Sequence, residues 1–260
     1  MIRGLIIGAS HCAALRLAFT AWRCDWPGMD LDFAALQGSV ADLTVQDGHL
    51  LPKDDAAGAR LQTSSRRSSF ALIDYGFIAV CGGVSGSFSG IRLYNQARCF
   101  ALPSVSGPYP AACAPSLLST ACFTAALTGI IRGNAALPML TSLRDATGVP
   151  LFAISEPLLS FAALADKTRF HGFRALHRNG DADAMATLLQ TASAAAYADL
   201  AQHIAPPDAV RQDGYFTQSD LRRGATRLGA ADQVPQPADD FLHGNAAYGR
   251  HILTALYHRL

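Results

Sequence analysis

"LIIGASHCAAL", residues 5–15, joins an apolar run to a helical pattern through the turn Gly8-Ala9-Ser10-His11. Upstream, Ile2 to Ile7 is a short apolar stretch closed by Gly8. Downstream, Leu15, Ala18, Phe19 and Trp22 recur at helical spacing across Cys12 to Trp22. The stretch therefore reads as strand, turn, helix, and the same grammar returns along the chain. Leu31 to Leu36 is a second strand closed by Gly38-Ser39, and Phe70 to Cys81 a third that runs into Gly82-Gly83. Helical patterns follow over Leu117 to Ile131 and Leu137 to Ala146. After Gly148, Val149 to Ile154 is a fourth strand ending at Ser155-Glu156-Pro157. Asp181 to Ile204 reads as a long Ala-rich helix entered through Asn179-Gly180-Asp181 and stopped by Pro206-Pro207, and Asn245 to Leu260 as a last amphipathic helix. Apolar strands separated by helices predict a parallel sheet covered on both faces, with ligands in the crevice beyond the carboxyl ends of the strands. No internal repeat or low-complexity linker interrupts the 260 residues, so one domain over 1–260 is expected.

Composition narrows the function classes. The net charge is +1 and the basic clusters Arg66-Arg67 and Arg222-Arg223 with Arg227 are short, so they read as solvated faces and no nucleic-acid partner is expected. The six cysteines, Cys12, Cys24, Cys81, Cys99, Cys113 and Cys122, form no C-x-x-C pair; free thiols in a reducing, cytoplasmic compartment are the simplest reading. The amino-terminal apolar run is broken by His11 and Arg16 and reads as a strand that stays on the protein. Cys99 to Ile131 carries no formal charge, yet Pro103, Pro108, Pro110 and Pro115 predict a loop and a buried helix rather than a membrane span.

Ser10 sits where a strand hands over to a helix, with the amides of the first turn facing the crevice. Standing alone, such a serine is a helix cap more often than a nucleophile. A second stretch, "DDFLHGNAAYG" (residues 239–249), changes its reading, because Asp240 and His243 stand with two residues between them before the last helix. A carboxylate at that spacing can orient an imidazole whose other nitrogen acts as general base. Other candidates are weaker. Cys12 lies inside the first helix and reads as core; His251 and His258 share a face of the last helix without a third metal ligand, so no metal is expected. "GGVSGSFSG" (residues 82–90) lacks both G-x-G-x-x-G and a P-loop lysine and reads as a site loop without a cofactor. His11 either lines the site beside Ser10 or caps the helix.

These two blocks resemble those of the SGNH, or GDSL, hydrolase superfamily, whose members carry an early serine block at the end of the first strand and a late Asp-x-x-His block. Gly8-Ala9-Ser10-His11 matches the first in its Gly-x-Ser form and Asp240-Phe241-Leu242-His243 the second, in an element order that spans nearly the whole chain. The resemblance implies a three-layer, flavodoxin-like α/β/α sandwich with Ser10 as nucleophile, His243 as base and Asp240 as its orienting partner. Gly38 fits the family's second block, whose amide joins the serine's own amide as an oxyanion donor. The third block, Gly-x-Asn after the third strand, is not intact: Gly82-Gly83-Val84-Ser85 puts Ser85 where the asparagine stands, with Asn95 a second substitute. Gly83, Ser85, His11 and Asn95 are thus the expected oxyanion or substrate-binding residues. The implied function is a serine esterase acting on a small-molecule or carbohydrate ester, for instance an O-acyl group, without cofactor. An acyltransferase of polysaccharide modification and a non-catalytic binding protein with a vestigial site are the alternatives.

Overall fold

The computed structural model describes residues 1–106, 116–229 and 234–260. Its centre is a parallel sheet of β1 (Ile2–Gly8), β2 (Met29–Ala35), β3 (Phe77–Cys81), β4 (Leu151–Ile154) and β5 (Gln202–Ile204). The strands stand in the order β2-β1-β3-β4-β5. Alternation within each strand feeds two cores. Leu5 and Ile7, Ile78 and Val80, and Leu151 and Ala153 enter one; Ile6, Ala79 and Cys81, and Phe152 and Ile154 enter the other.

The second core is covered by α1 (Cys12–Trp22) and α8 (Ala246–Tyr257), which supply Leu15, Phe19, Ile252, Leu253 and Leu256. The first is covered by α2 (Asp55–Ser65), α3 (Ser87–Gln96), α4 (Thr120–Arg132), α5 (Ala136–Ala146), α6 (His171–Arg178) and α7 (Ala182–Tyr197), which bring Leu61, Ile91, Phe123, Leu140, Phe173 and Leu189. Burying a side chain of this kind stabilises by roughly 1.5–3 kcal/mol, so both faces of the sheet are firmly clad. The chain is thus α/β with helices on both sides of a parallel sheet. Its strand order reverses between β1 and β3, and Ser10 and Gly82 follow those two strands. That reversal is where open α/β sheets leave a crevice for ligands.

Two expectations fail. The third strand expected over Phe70–Cys81 is two pieces: Phe70–Ala71 pairs antiparallel with His49–Pro52, Leu72–Asp74 makes a 3-10 turn, and only β3 joins the central sheet. The amide of Leu72 goes to Gly48 O at 2.8 Å and that of Gly76 to Arg3 O at 2.8 Å, so the chain changes sheets across Tyr75-Gly76. Phe70, Leu72 and Phe77 to Cys81 are buried on either side of the break, so apolar content alone does not mark it, while Ile73, Asp74 and Gly76 in the connection are exposed. The helix expected over Asp181–Ile204 ends at Tyr197, whose carbonyl accepts both Leu200 N and Ala201 N at 2.9 Å; Gln202–Ile204 then becomes the edge strand β5. The Leu117–Ile131 helix starts at Thr120, capped by Ser119, whose side chain accepts from Cys122 N. No helix among the described residues is long and apolar enough to cross a membrane. Pro108, Pro110, Cys113 and Pro115 lie outside the described residues, and Cys12, Cys24, Cys81, Cys99 and Cys122 are free thiols.

Candidate active site

The turn after β1 is closed by Cys12 N to Ala9 O at 3.0 Å and Ala13 N to Ser10 O at 3.2 Å. These bonds hold Ser10 at the carboxyl edge of the sheet and leave its side chain free of capping duty. Its Oγ lies 2.8 Å from Nε2 of His243. On the other side of that ring, Nδ1 lies 3.1 and 3.0 Å from the two carboxylate oxygens of Asp240. A carboxylate can only accept, so Nδ1 carries the proton and Nε2 is left to accept from the serine hydroxyl. The pair Asp240 and His243 is well covered, with side chains 10% and 19% exposed. Burial raises the Asp240 carboxyl, but the hydrogen bond and charge of His243 together with the amides of Leu242 and His243 outweigh it, and the net shift is downward.

The segment that carries Asp240 and His243 is laced to the body. Arg222 donates from Nη1 to Ala238 O at 3.1 Å and to Asp240 O, and its guanidinium lies 4.9 Å from the ring centre of Phe241. Asn245 caps α8 through Tyr248 N and donates to the carbonyls of Asp220 and Arg223, both at 2.9 Å. Arg222 is therefore a structural tie rather than the solvated charge its sequence neighbourhood suggested.

Ser10 and Gly38 have backbone N–H groups that meet no acceptor among the described residues. Gly38 stands at φ +131°, and a Cβ there would come within 2.6 Å of Asp42 Oδ2, so only glycine fits the turn. Leu36 N to Gly8 O at 3.1 Å ties the end of β2 to the end of β1, bringing this turn beside the serine turn. A surface cleft of about 220 Å³, lined by Gln37, Ala59, Arg60, Thr63 and Ser64, opens next to it.

His11 is brought to the site as a neighbour of the base. Its ring stacks on that of His243 with centroids 4.9 Å apart and planes 25° from parallel. Burial pushes its pKa down to about 4; the charge of His243 pushes the same way, while Glu156 and Asp240 pull upward. His11 is accordingly neutral near pH 7. No side-chain capping bond is made at its position, and its Nδ1 is buried without a partner.

The other expected residues are placed elsewhere. Ser85 is buried, with both its amide and its hydroxyl donated to Glu156. Gly83 faces Ala135, and its carbonyl accepts from Ala136 N at 3.4 Å. Asn95 lies near the far end of α3, where its amide group closes on Gly172 of α6. Cys12 is fully buried in the core beneath α1, and His251 and His258 are exposed. No group of three or more His, Cys, Asp or Glu able to hold a metal occurs among the described residues.

A second serine–histidine contact, Ser155 Oγ to His203 Nε2 at 2.8 Å, differs in kind. Ser155 is 3% exposed, burial pushes His203 down to about 4, and among the described residues no carboxylate bonds that ring. A base so depressed and a hydroxyl so enclosed make a structural pair. The residue that sequence reasoning passed over is Glu156. Every acidic residue of the chain is aspartate except this one, and that, with its position just beyond β4, was the available signal.

No family model and no curated protein matches this chain.

Proposed function

We propose that the chain is a serine esterase in which Ser10, His243 and Asp240 act as a triad on the ester of a small molecule or carbohydrate, for instance an O-acyl group. The observation that carries this reading is the unbroken line of contacts Asp240 to Nδ1, Nε2 to Ser10 Oγ, at the edge where a parallel sheet opens its crevice. The strand order is that of flavodoxin-like sheets, which fits the resemblance to SGNH hydrolases.

In the proposed reaction His243 takes the hydroxyl proton as Ser10 attacks the acyl carbonyl, and Asp240 stabilises the imidazolium that forms. The tetrahedral oxygen is met by the free amides of Ser10 and Gly38. His243 then returns its proton to the departing alcohol, and water, deprotonated by the same ring, releases the acyl group from Ser10. The third oxyanion donor of the family has no counterpart in Ser85, whose donors are spent on Glu156, which predicts modest turnover.

The test is hydrolysis of a small activated ester by wild type, Ser10→Ala and His243→Ala, with and without an added acceptor alcohol. Each variant is expected to lose several powers of ten, and the double variant no more than either single one, because triad members act as a unit. Ester synthesis outrunning hydrolysis in the presence of acceptor would establish the transferase alternative. Full activity in Ser10→Ala would reject the triad.

A further inference from the structure

The loop that follows β3 is held in place by one side chain. Glu156 accepts from Val84 N at 3.1 Å, from Ser85 N at 3.1 and 3.2 Å, and from Ser85 Oγ at 2.9 Å. Among the described residues no lysine or arginine pairs with it. A partly buried carboxylate with neutral donors alone is an expensive feature. The chain nevertheless keeps it as its single glutamate, at a place where an aspartate would fall one methylene short of the loop.

The loop so held turns through Gly82 at φ +92° and Gly83 at φ +68°. Gly82 packs against the imidazole of His11, where a Cβ would meet Cδ2 at 3.4 Å. That imidazole in turn stacks on His243. His11 Nδ1 is buried and meets no hydrogen-bond partner among the described residues, so the ring is held by its packing between Gly82 and His243.

We propose that Glu156 is a positioning residue for His243, acting through the Gly82–Ser85 loop and the ring of His11. Asp240 fixes the base at its Nδ1 edge, and the His11 stack fixes the plane of the ring. The ring of His243 stacks on His11, and the charges of Glu156, His243 and Asp240 act on it. A neutral His11 supports the ring without competing when His243 becomes the imidazolium. This assignment rests on the triad reading, and it places in Glu156 a supporting role for the region where the family's third block has its asparagine.

The test pairs nitrogen-15 NMR of the histidine rings with kinetics on a small activated ester, for wild type, His11→Ala, His11→Phe, Glu156→Asp and Glu156→Gln. In wild type His243 should show one fixed Nδ1–H tautomer. His11→Ala and Glu156→Asp should mix the tautomers and lower kcat by about ten- to a hundredfold with KM little changed, the scale expected for misplacing a reacting group by about 1 Å. His11→Phe, which restores an aromatic face, should recover most of the loss, and Glu156→Gln, which keeps length and one acceptor, should fall between. If His11→Ala leaves both the tautomer and kcat unchanged, the proposal is overturned, whatever the glutamate variants do to folding. If Glu156→Asp folds and changes only thermal stability, Glu156 is structural and the proposal is likewise overturned. The ring spectra do not depend on turnover, so a failed triad, seen as full activity in Ser10→Ala, is read separately.

Discussion

At Gly249 the backbone of α8 packs directly on that of α1 behind the site, and adding one methyl there tests whether their approach positions the base. In Gly249→Ala the new Cβ would sit 2.1 Å from Ala14 O and 2.5 Å from Ala14 C, both backbone atoms of α1. Real Cβ contacts essentially never fall below 3.0 Å, so α1 and α8 must separate by about 1 Å at this point. Overpacking of this severity costs about 3 kcal/mol, and the better helix propensity of alanine returns about 1 kcal/mol. The net loss of about 2 kcal/mol should lower Tm by about 4–8 °C. Gly129→Ala in α4 is the control, since a Cβ there meets nothing within 4 Å, and it should gain about 1 kcal/mol from propensity alone. Scanning calorimetry reads both signs, and ester hydrolysis reads whether moving the start of α8 disturbs His243, six residues upstream. The reasoning is refuted if Gly249→Ala is as stable as wild type, or if both substitutions shift Tm in the same direction.

Acid should weaken the fold earlier than carboxylate protonation requires. His11 and His203 are both lowered from 6.5 to about 4 by burial. The unfolded chain therefore binds more protons between those values, so their stabilisation is complete above pH 6.5 and is lost as pH falls through 4, at most about 3 kcal/mol for each ring. Urea midpoints from pH 7 to 4 should fall steadily in wild type and less steeply in His11→Phe; a flat wild-type profile contradicts the burial of these rings. Asp240→Asn should keep the fold at neutral pH while lowering kcat by about 10³- to 10⁴-fold through loss of the required tautomer; an unchanged kcat would remove Asp240 from the mechanism. Arg222→Met should lower kcat with KM nearly constant, because it frees the carbonyls of Ala238 and Asp240; equal losses in kcat for Arg223→Met, a neighbour that makes no such bonds, would refute this role.

The serine turn and the late Asp-x-x-His block could be read from the chain because each is local. Gly8 ends an apolar strand, Cys12–Trp22 is helical over the span its periodicity gives, and Asp240 reaches His243 within one turn of backbone. That the two blocks meet is a matter of topology, since the packing of α1 on α8 in the second core brings the start of α8 back to the end of β1. What stayed hidden is what depends on partners far along the chain. The break at Tyr75-Gly76 is decided by carbonyls of Gly48 and Arg3. The strand Gln202–Ile204 is decided by the free edge of β4. Ser85 looked available in sequence and is bound because Glu156, from another strand end, reaches it. Asn95 is carried down α3, on a helix whose length sets it roughly 12 Å from the loop.

The most direct measurement is covalent. A fluorophosphonate should phosphonylate Ser10 Oγ with loss of fluoride as His243 takes the proton, and intact mass followed by peptide mapping locates the adduct. Wild type is expected to take up one equivalent on the peptide containing Ser10, with Ser10→Ala unlabelled and His243→Ala slowed by several powers of ten. Labelling at another residue, or equal labelling of wild type and Ser10→Ala, would contradict the assignment of Ser10 as the nucleophile.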